Sequence, residues 1–388
     1  MKFAGIIAEY DPFHNGHAAQ LAAVRAAGAQ CIAVCMSSGA VQRGGVPILP
    51  ESVRVRAALD AGADLVVALP APYACATAEQ FAAAGVHLLA ALGCDTLAFG
   101  AETPDAAALL DAAQLLLSGE INALIRKKLA TGMTYAAARA DAAETLRPGM
   151  GTLLRTPNNI LGIEYCKAIL TQGAALTPLA LPRLGAAHGG GAGEHGGVPM
   201  ASASYLRSLP VEDWEPYVPL HATELYTKAA ASGLLADAGK FEVAVLALLR
   251  ARPEAAFAAV RGVSEGLEHR LAAAVREADS LDDLYTRLKT KRYPHARLRR
   301  LVLDAALGIP AALPAPPYIQ VLGARKTALP RLKQAMLPAG TSLADIARSG
   351  ADAAKISELH SKAVDFSALC RAKTQPMGLA FTTKPVVI

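Results

Sequence analysis

Two histidines, His14 and His17, stand one helical turn apart directly behind an apolar run, with Gly16 between them. The stretch reads Ile6-Ile7-Ala8-Glu9-Tyr10-Asp11-Pro12-Phe13-His14-Asn15-Gly16-His17. Pro12 breaks the run, and His14-x-Gly16-His17 opens a helical pattern. Glycine lets backbone approach a phosphate, and a helix start offers free N–H groups at the positive end of its dipole. Two imidazoles there can bind a phosphoryl oxygen as charge develops on it. One of the pair could instead cap the helix or sit in a core. An i, i+3 pair can also ligate zinc, but no third ligand lies nearby at suitable spacing.

Other segments carry complementary chemistry. In Ala201-Ser202-Ala203-Ser204-Tyr205-Leu206-Arg207, either serine can cap a short helix whose start binds anions. Arg207, one turn after Ser204, can aim a planar donor fork at phosphate. Met36–Gly45 places Ser37, Ser38, Gln42, Arg43 and glycines behind a second apolar run, which suits a small anion. Leu97–Glu102 closes another run, and Gly100 there lets backbone approach an adenine or ribose. Asn158 stands just before a helical pattern and on its own reads as an N-cap. Arg183 ends a further strand candidate.

These groups meet if the first half folds as an open α/β sheet with ligands at the carboxyl ends of its strands. Short apolar runs closed by Gly, Pro or Ser predict strands at Phe3–Ala8, Cys31–Met36, Leu65–Leu69 and Thr96–Phe99. Helical patterns at Gly16–Ala27, Glu51–Ala61 and Ala78–Leu92 lie between them, as right-handed crossovers require. Thr103 to about Thr145 reads as helical, Asn158–Leu170 as a helix, and Leu176–Leu184 as a last strand. Gly185–Gly197, with His188 and His195, reads as a mobile loop or a lid near the site. After Pro210 the chain is helical almost throughout, chiefly over Phe241–Ala251, Ser264–Ala278, Ser280–Lys289 and Pro294–Leu307. Thr374–Ile388 reads as an irregular tail.

A chain of 388 residues exceeds one typical core. We place a boundary near 208–222, giving residues 1–208 as an α/β core and 209–388 as a mainly helical region. Hydrophobic residues are 53% and charged residues 18%, which excludes a disordered chain. A net charge of +5 suits a polyanionic partner. The six cysteines form no C-x-x-C pair and read as buried reduced thiols, with no zinc site. There is no signal-peptide pattern and no unbroken apolar stretch of about 18 residues, so a cytoplasmic protein without a membrane partner is expected.

Together these segments resemble the bacterial tRNA(Met) cytidine acetate ligases, within the H-x-G-H nucleotidyltransferases. The family opening G-x-x-x-E-Y-N-P-F-H-N-G-H has its counterpart at Gly5 to His17. M-S-G-N-F-V-Q-R-G, P-N-N-I-L-G-x-E-Y and S-A-[ST]-x-[IL]-R have theirs at Met36–Gly44, Pro157–Tyr165 and Ser202–Arg207. Ser264–Glu268 and Thr290–Tyr293 also resemble family segments, so the likeness spans about residues 1–330. Asp11 departs from the usual asparagine, and Ser37-Ser38-Gly39-Ala40 from Ser-Gly-Asn-Phe. A carboxylate at Asp11 is unfavourable beside phosphate unless it faces away or binds magnesium.

The resemblance implies a Rossmann-like parallel-sheet core and a two-step ligase. Acetate attacks the α-phosphate of ATP, giving acetyl-adenylate and pyrophosphate. The exocyclic amine of the wobble cytidine of elongator tRNA(Met) then takes the acetyl group, giving N4-acetylcytidine and AMP. His14, His17 and Arg207 would be catalytic. ATP, carrying Mg2+ on its phosphates, would lie along Ile7-Ala8-Glu9-Tyr10-Asp11-Pro12-Phe13-His14-Asn15-Gly16-His17-Ala18-Ala19-Gln20, with Gly100, Asn158, Arg183, Ser202, Ser204 and Arg207. Ser37, Ser38, Gln42 and Arg43 would form the loop for the carboxylate substrate. No obligate protein partner is implied.

Eleven Lys and Arg lie between Arg287 and Lys333 against one acidic residue, Asp304, with Tyr293 and His295 interleaved. Such a run is either a solvated helix face or a tRNA-backbone contact. We expect the latter, through Lys291, Arg292, Arg297, Arg299, Arg300, Arg325 and Lys326. A small-metabolite adenylyltransferase would not need this surface. A non-catalytic tRNA binder would not need the intact histidines and Arg207.

Overall fold

The computed structural model describes residues 1–184, 191–264, 266–290 and 293–388. Five parallel strands form its centre: β1 (Phe3–Ala8), β2 (Cys31–Ser37), β3 (Leu65–Leu69), β4 (Thr96–Ala101) and β5 (Thr177–Pro182). Their spatial order is 3-2-1-4-5, so the chain winds outward from β1 in one direction and then in the other. The expected α/β core is thus present. The switch of direction falls between β1 and β4, where such sheets open a crevice for a ligand.

Strand residues alternate between two apolar clusters. Phe3, Ile7, Ala33, Cys35, Leu65 and Val67 face one, while Ala4, Ile6, Ile32, Val34, Val66 and Ala68 face the other. With both faces covered, the strands read as unbroken apolar runs. The helix Ala78–Ala91 sits close on β1, since a Cβ on Gly85 would come within 2.6 Å of Ile7 Cδ1. All six cysteines are free and buried.

The second half departs from the expectation of helix alone. After the hairpin β6 (Ala192–His195) and β7 (Val198–Ala201), the strand β8 (Ile319–Ala324) enters the central sheet antiparallel to β3. The short strands β9 (Ala339–Gly340) and β10 (Val386–Val387) then pair parallel to β8. The 374–388 tail is therefore ordered at its end by the ladder that β8 offers. Trp214, Val218, Ala222, Tyr226 and Ala229 share the cluster of Ile6, Tyr10, Phe13 and Leu21, so residues on both sides of 208 pack in one core. The 103–145 stretch is three helices, Ala106–Leu117, Gly119–Ala130 and Tyr135–Leu146, with Ser118 and Thr134 capping the second and third. Among the described residues, no single helix is long and apolar enough to cross a membrane.

Candidate active site

Tyr10 carries the chain out of β1 with φ +49, a left-handed conformation that non-glycine residues seldom adopt, and Asp11–Pro12 is cis. The chain then enters the helix Asn15–Ala26 through a cap made of the two histidines themselves. His14 Nδ1 accepts the Gly16 N–H at 3.1 Å, and His17 Nδ1 accepts the His14 N–H at 3.3 Å. A serine–glutamate capping box works in the same reciprocal way. The rings stack with centroids 3.7 Å apart. Capping and ligand chemistry are thus not alternatives here. Each ring has spent Nδ1 as an acceptor, which assigns its proton to Nε2 and leaves an N–H donor.

Both rings are held neutral. Partial burial, with Arg183 and Arg207 nearby, pulls His14 down to about 3. Burial, with His14 and Arg183, pulls His17 well below the ordinary histidine value. Neutral donors flanked by fixed guanidinium groups suit an oxygen that gains charge during reaction.

Asp11 faces away from these donors. It is 1% exposed, with Oδ1 accepting the Ile48 N–H at 2.6 Å and Oδ2 lying 2.5 Å from Arg43 Nη2 and 3.8 Å from Arg207 Nη1. Burial raises its proton affinity, but Arg43, Arg207 and Arg54 outweigh that and hold it below the usual carboxylate range. Arg207 also donates to the Asp11 carbonyl, and its Nη2 reaches Ser204 Oγ at 3.1 Å. Ser202 caps the short helix Ala203–Leu206. The carboxylate is thereby an anchor for two arginines.

A cavity of about 480 Å³ opens at the switch point, lined by the ends of β1, β4 and β5, the histidine turn and the Ser202–Arg207 segment. Of the residues expected to bind ATP, Ile7, Ala8, Glu9, Tyr10, Asp11, His14, Gly16, His17, Ala19, Gln20, Gly100, Asn158, Arg183, Ser202, Ser204 and Arg207 line this cavity. Pro12, Phe13, Asn15 and Ala18 do not line it. Phe13 is buried, and Asn15 Nδ2 instead ties the helix start to the carbonyls of Pro199 and Pro216. Asn158 is not the N-cap: Glu102 accepts its side-chain amide at 2.7 Å and caps the Pro157–Gln172 helix through the Asn158 and Asn159 N–H groups.

In the 36–45 loop only Gln42 lines the cavity. Ser37 and Ser38 are fully buried, and Ser38 donates to Glu51. Arg43 is turned to Asp11. Gln42 itself donates its backbone N–H to Glu9 Oε1 at 2.6 Å, and its Nε2 is buried with no partner among the described residues.

Sequence reasoning missed an apolar wall of Phe81, Phe99, Leu161 and Tyr165 on the cavity. It also missed Arg54, 1% exposed beneath it, whose Nη1 donates to the Glu9 carbonyl at 2.7 Å and the Ser37 carbonyl at 2.9 Å. Phe99 and Tyr165 sit inside the motif segments, a usable signal. Nothing local marks Arg54. Among the described residues, no three His, Cys, Asp or Glu side chains could hold a metal ion together.

The basic run does not form one face. Arg297, Arg299 and Arg300 lie on the helix His295–Leu307, whose backbone at Arg299–Arg300 packs so closely on Gly44 that a Cβ there would come within 2.6 Å. Arg300 Nη1 reaches the Gln42 carbonyl at 3.4 Å, so this helix abuts the loop beside the cavity. Arg325 and Lys326 instead follow β8, which runs antiparallel, so they stand at the opposite edge of the sheet. There Arg325 binds the carbonyls of Leu59 and Ala63 at the end of the Glu51–Asp60 helix. Lys291, Arg292, Glu265 and His188 lie outside the described residues.

The HIGH Nucleotidyl Transferase family profile matches residues 1–377. A tRNA(Met) cytidine acetate ligase of Syntrophotalea carbinolica is 36% identical over 337 residues, 83% of this chain and 80% of the relative. One of Latilactobacillus sakei is 37% identical over 321 residues, 80% and 78% of the two chains. Crystal structures of Thermotoga maritima TmcAL match over the whole of this chain: the apo form at TM-score 0.91 and 25% identity over all of that chain, and a form with bound alpha-thio ATP at 0.89 and 24% over 99% of it. By profile, relatives and site, the chain belongs to the HIGH nucleotidyl transferases and, within them, to the tRNA(Met) cytidine acetate ligase family.

Proposed function

We propose that this chain is an ATP-dependent ligase that joins acetate to the wobble cytidine of elongator tRNA(Met) through acetyl-adenylate. The observation that carries the reading is the paired, neutral Nε2–H donors of His14 and His17, with Arg183 and Arg207 beside them at the switch point. The α-phosphate sits against the two imidazoles, which stabilise the added charge as acetate attacks. Arg207, Ser202 and Ser204 hold the leaving pyrophosphate. Gly100 and the Phe99–Tyr165 wall receive the nucleoside. Gln42 Nε2, buried with no hydrogen-bond partner among the described residues, supports the loop side of the cavity as the acetate edge.

Magnesium enters as part of the nucleotide substrate. Asp11, beside the histidine turn, is engaged by Arg43 and the Ile48 amide, and among the described residues no three His, Cys, Asp or Glu side chains could hold a metal ion together, which supports a metal carried by phosphates. The tRNA approaches over the helix His295–Leu307, whose Arg297 and Arg299 offer backbone contacts next to the Gln42 loop. In this division of labour residues 1–208 supply the ATP and acetate site, and the helices of 209–388 face the tRNA in the cytoplasm.

The test is mass spectrometry of unmodified elongator tRNA(Met) incubated with the purified protein, ATP, magnesium and acetate. The expected result is one ATP-dependent acetyl group, mapped to the wobble cytidine. AMP formation with a different acceptor, or no ATP consumption, would refute it.

A further inference from the structure

We propose that Glu9 is the general base that takes the proton from the attacking amine in the acetyl-transfer step. The inference rests on the acetyl-adenylate reading above. Amide formation requires a proton acceptor. The amine nitrogen bonds the acetyl carbon, the carbon–oxygen bond to AMP breaks, and AMP leaves with that electron pair. One N–H proton must then go to a basic atom, which afterwards returns it to water.

The cavity offers few such atoms. His14 and His17 have spent Nδ1 on backbone N–H groups and hold a proton on Nε2, so accepting another would break the helix cap. Asp11 is buried, bound to Arg43 and the Ile48 amide, and its charged form is strongly favoured. Tyr10 and Tyr165 are buried phenols whose ionisation burial disfavours. Arginine is a donor only.

Glu9 is different. It lines the cavity at the end of β1, on the side where the Gln42 loop meets the helix of Arg297–Arg300. Its Oε1 accepts the Gln42 N–H, while among the described residues Oε2 has only Arg43 Nη1, at 4.0 Å. Oε2 is thus the oxygen left for an acceptor arriving from the basic helix. Several charged or titratable groups face it: Arg43 from the loop, Asp11 on its own segment, Arg207 from the Ser202–Arg207 turn, Arg54 from the helix Glu51–Asp60, and the neutral Tyr165 phenol from the helix Pro157–Gln172. Burial raises its proton affinity against the pull of Arg43, which suits a base working near neutrality.

The test uses the full chain and separates the half-reactions. Acetate-dependent ATP–pyrophosphate exchange reports adenylate formation. Single-turnover transfer from preformed acetyl-adenylate to the tRNA, measured against pH, reports the second step. Wild type should show transfer falling at acid pH with a midpoint above the ordinary carboxylate value. Glu9→Gln should slow transfer by about 10²–10³-fold, the range of general-base catalysis, and lose the acid limb. Exchange should fall far less. Glu9→Asp should recover part of the rate and the acid limb, which a misfolded variant would not. Transfer by Glu9→Gln at the wild-type rate, or with the acid limb retained, would overturn the proposal. Absence of exchange in wild type would instead overturn the acetyl-adenylate reading beneath it.

Discussion

Gly100→Val separates ligand binding from folding more cleanly than any histidine substitution. Gly100 lies in β4 with an ordinary backbone conformation and lines the cavity, and a Cβ built there meets no atom of the described residues within 4 Å. The apo protein therefore has room for the new side chain. A strand interior prefers a β-branched residue to glycine, whose flexibility costs about 0.5–1 kcal/mol relative to alanine, so stability should hold or rise slightly. The penalty falls on the bound state alone. Overpacking a filled site costs about 1–3 kcal/mol, which at about 1.4 kcal/mol per factor of ten is a roughly 5–150-fold loss in ATP affinity. Calorimetric titration with an ATP analogue and urea unfolding of the same sample measure both quantities. An intact unfolding midpoint with unchanged nucleotide affinity would show that ATP does not lie along β4.

Asp11→Asn keeps an oxygen for the Ile48 amide but removes the charge that anchors Arg43 and Arg207. Breaking a buried pair on one side should cost about 3 kcal/mol, read as a lower urea midpoint, and an unchanged midpoint would refute the anchor role. His360 is buried, accepts the Ala71 N–H at 3.2 Å, and is pulled from 6.5 down to about 4 by burial. The unfolded chain takes up this proton first, so acidification from about pH 6.5 to 4 should remove about 3 kcal/mol of stability. His360→Gln should flatten that slope, and an identical pH dependence of unfolding would contradict it. Arg297→Glu with Arg299→Glu should raise the tRNA KM and shallow its salt dependence by about one per lost phosphate contact while sparing pyrophosphate exchange; an unchanged salt slope would count against this surface.

What could be read from the sequence was mostly local. The strands β1 to β4 are apolar runs because both of their faces are buried, and the histidine turn announces itself by residue type and spacing. Arg54 was not legible, since its value lies in two carbonyls, of Glu9 just past β1 and of Ser37 at the end of β2. Nor was β8: its pairing with β3 joins residues some 250 positions apart, and a single buried strand of six residues within a mainly helical region carries little signal of its own. The basic run misled for the same reason. Arg297 and Arg325 are near in sequence, but the antiparallel entry of β8 carries them to opposite edges of the sheet.

Asp11 shows how a local rule and a long-range contact combine. Taken from the sequence, a carboxylate three residues before His14 is a liability beside a triphosphate. In the fold, the Ile48 amide and the Arg43 guanidinium reach it from the second loop, and Arg207 reaches it from the far side of the hairpin. The negative charge is thereby neutralised below the cavity, while the arginine that should meet phosphate is oriented through Ser204 and the Asp11 carbonyl. An asparagine could accept the Ile48 hydrogen bond but could not neutralise two guanidinium groups. The aspartate therefore trades some attraction for the incoming phosphates against a fixed arginine geometry. If so, Asp11→Asn should bind pyrophosphate more tightly than wild type while forming adenylate more slowly. Parallel losses in both would mean that Asp11 serves only the stability of the core.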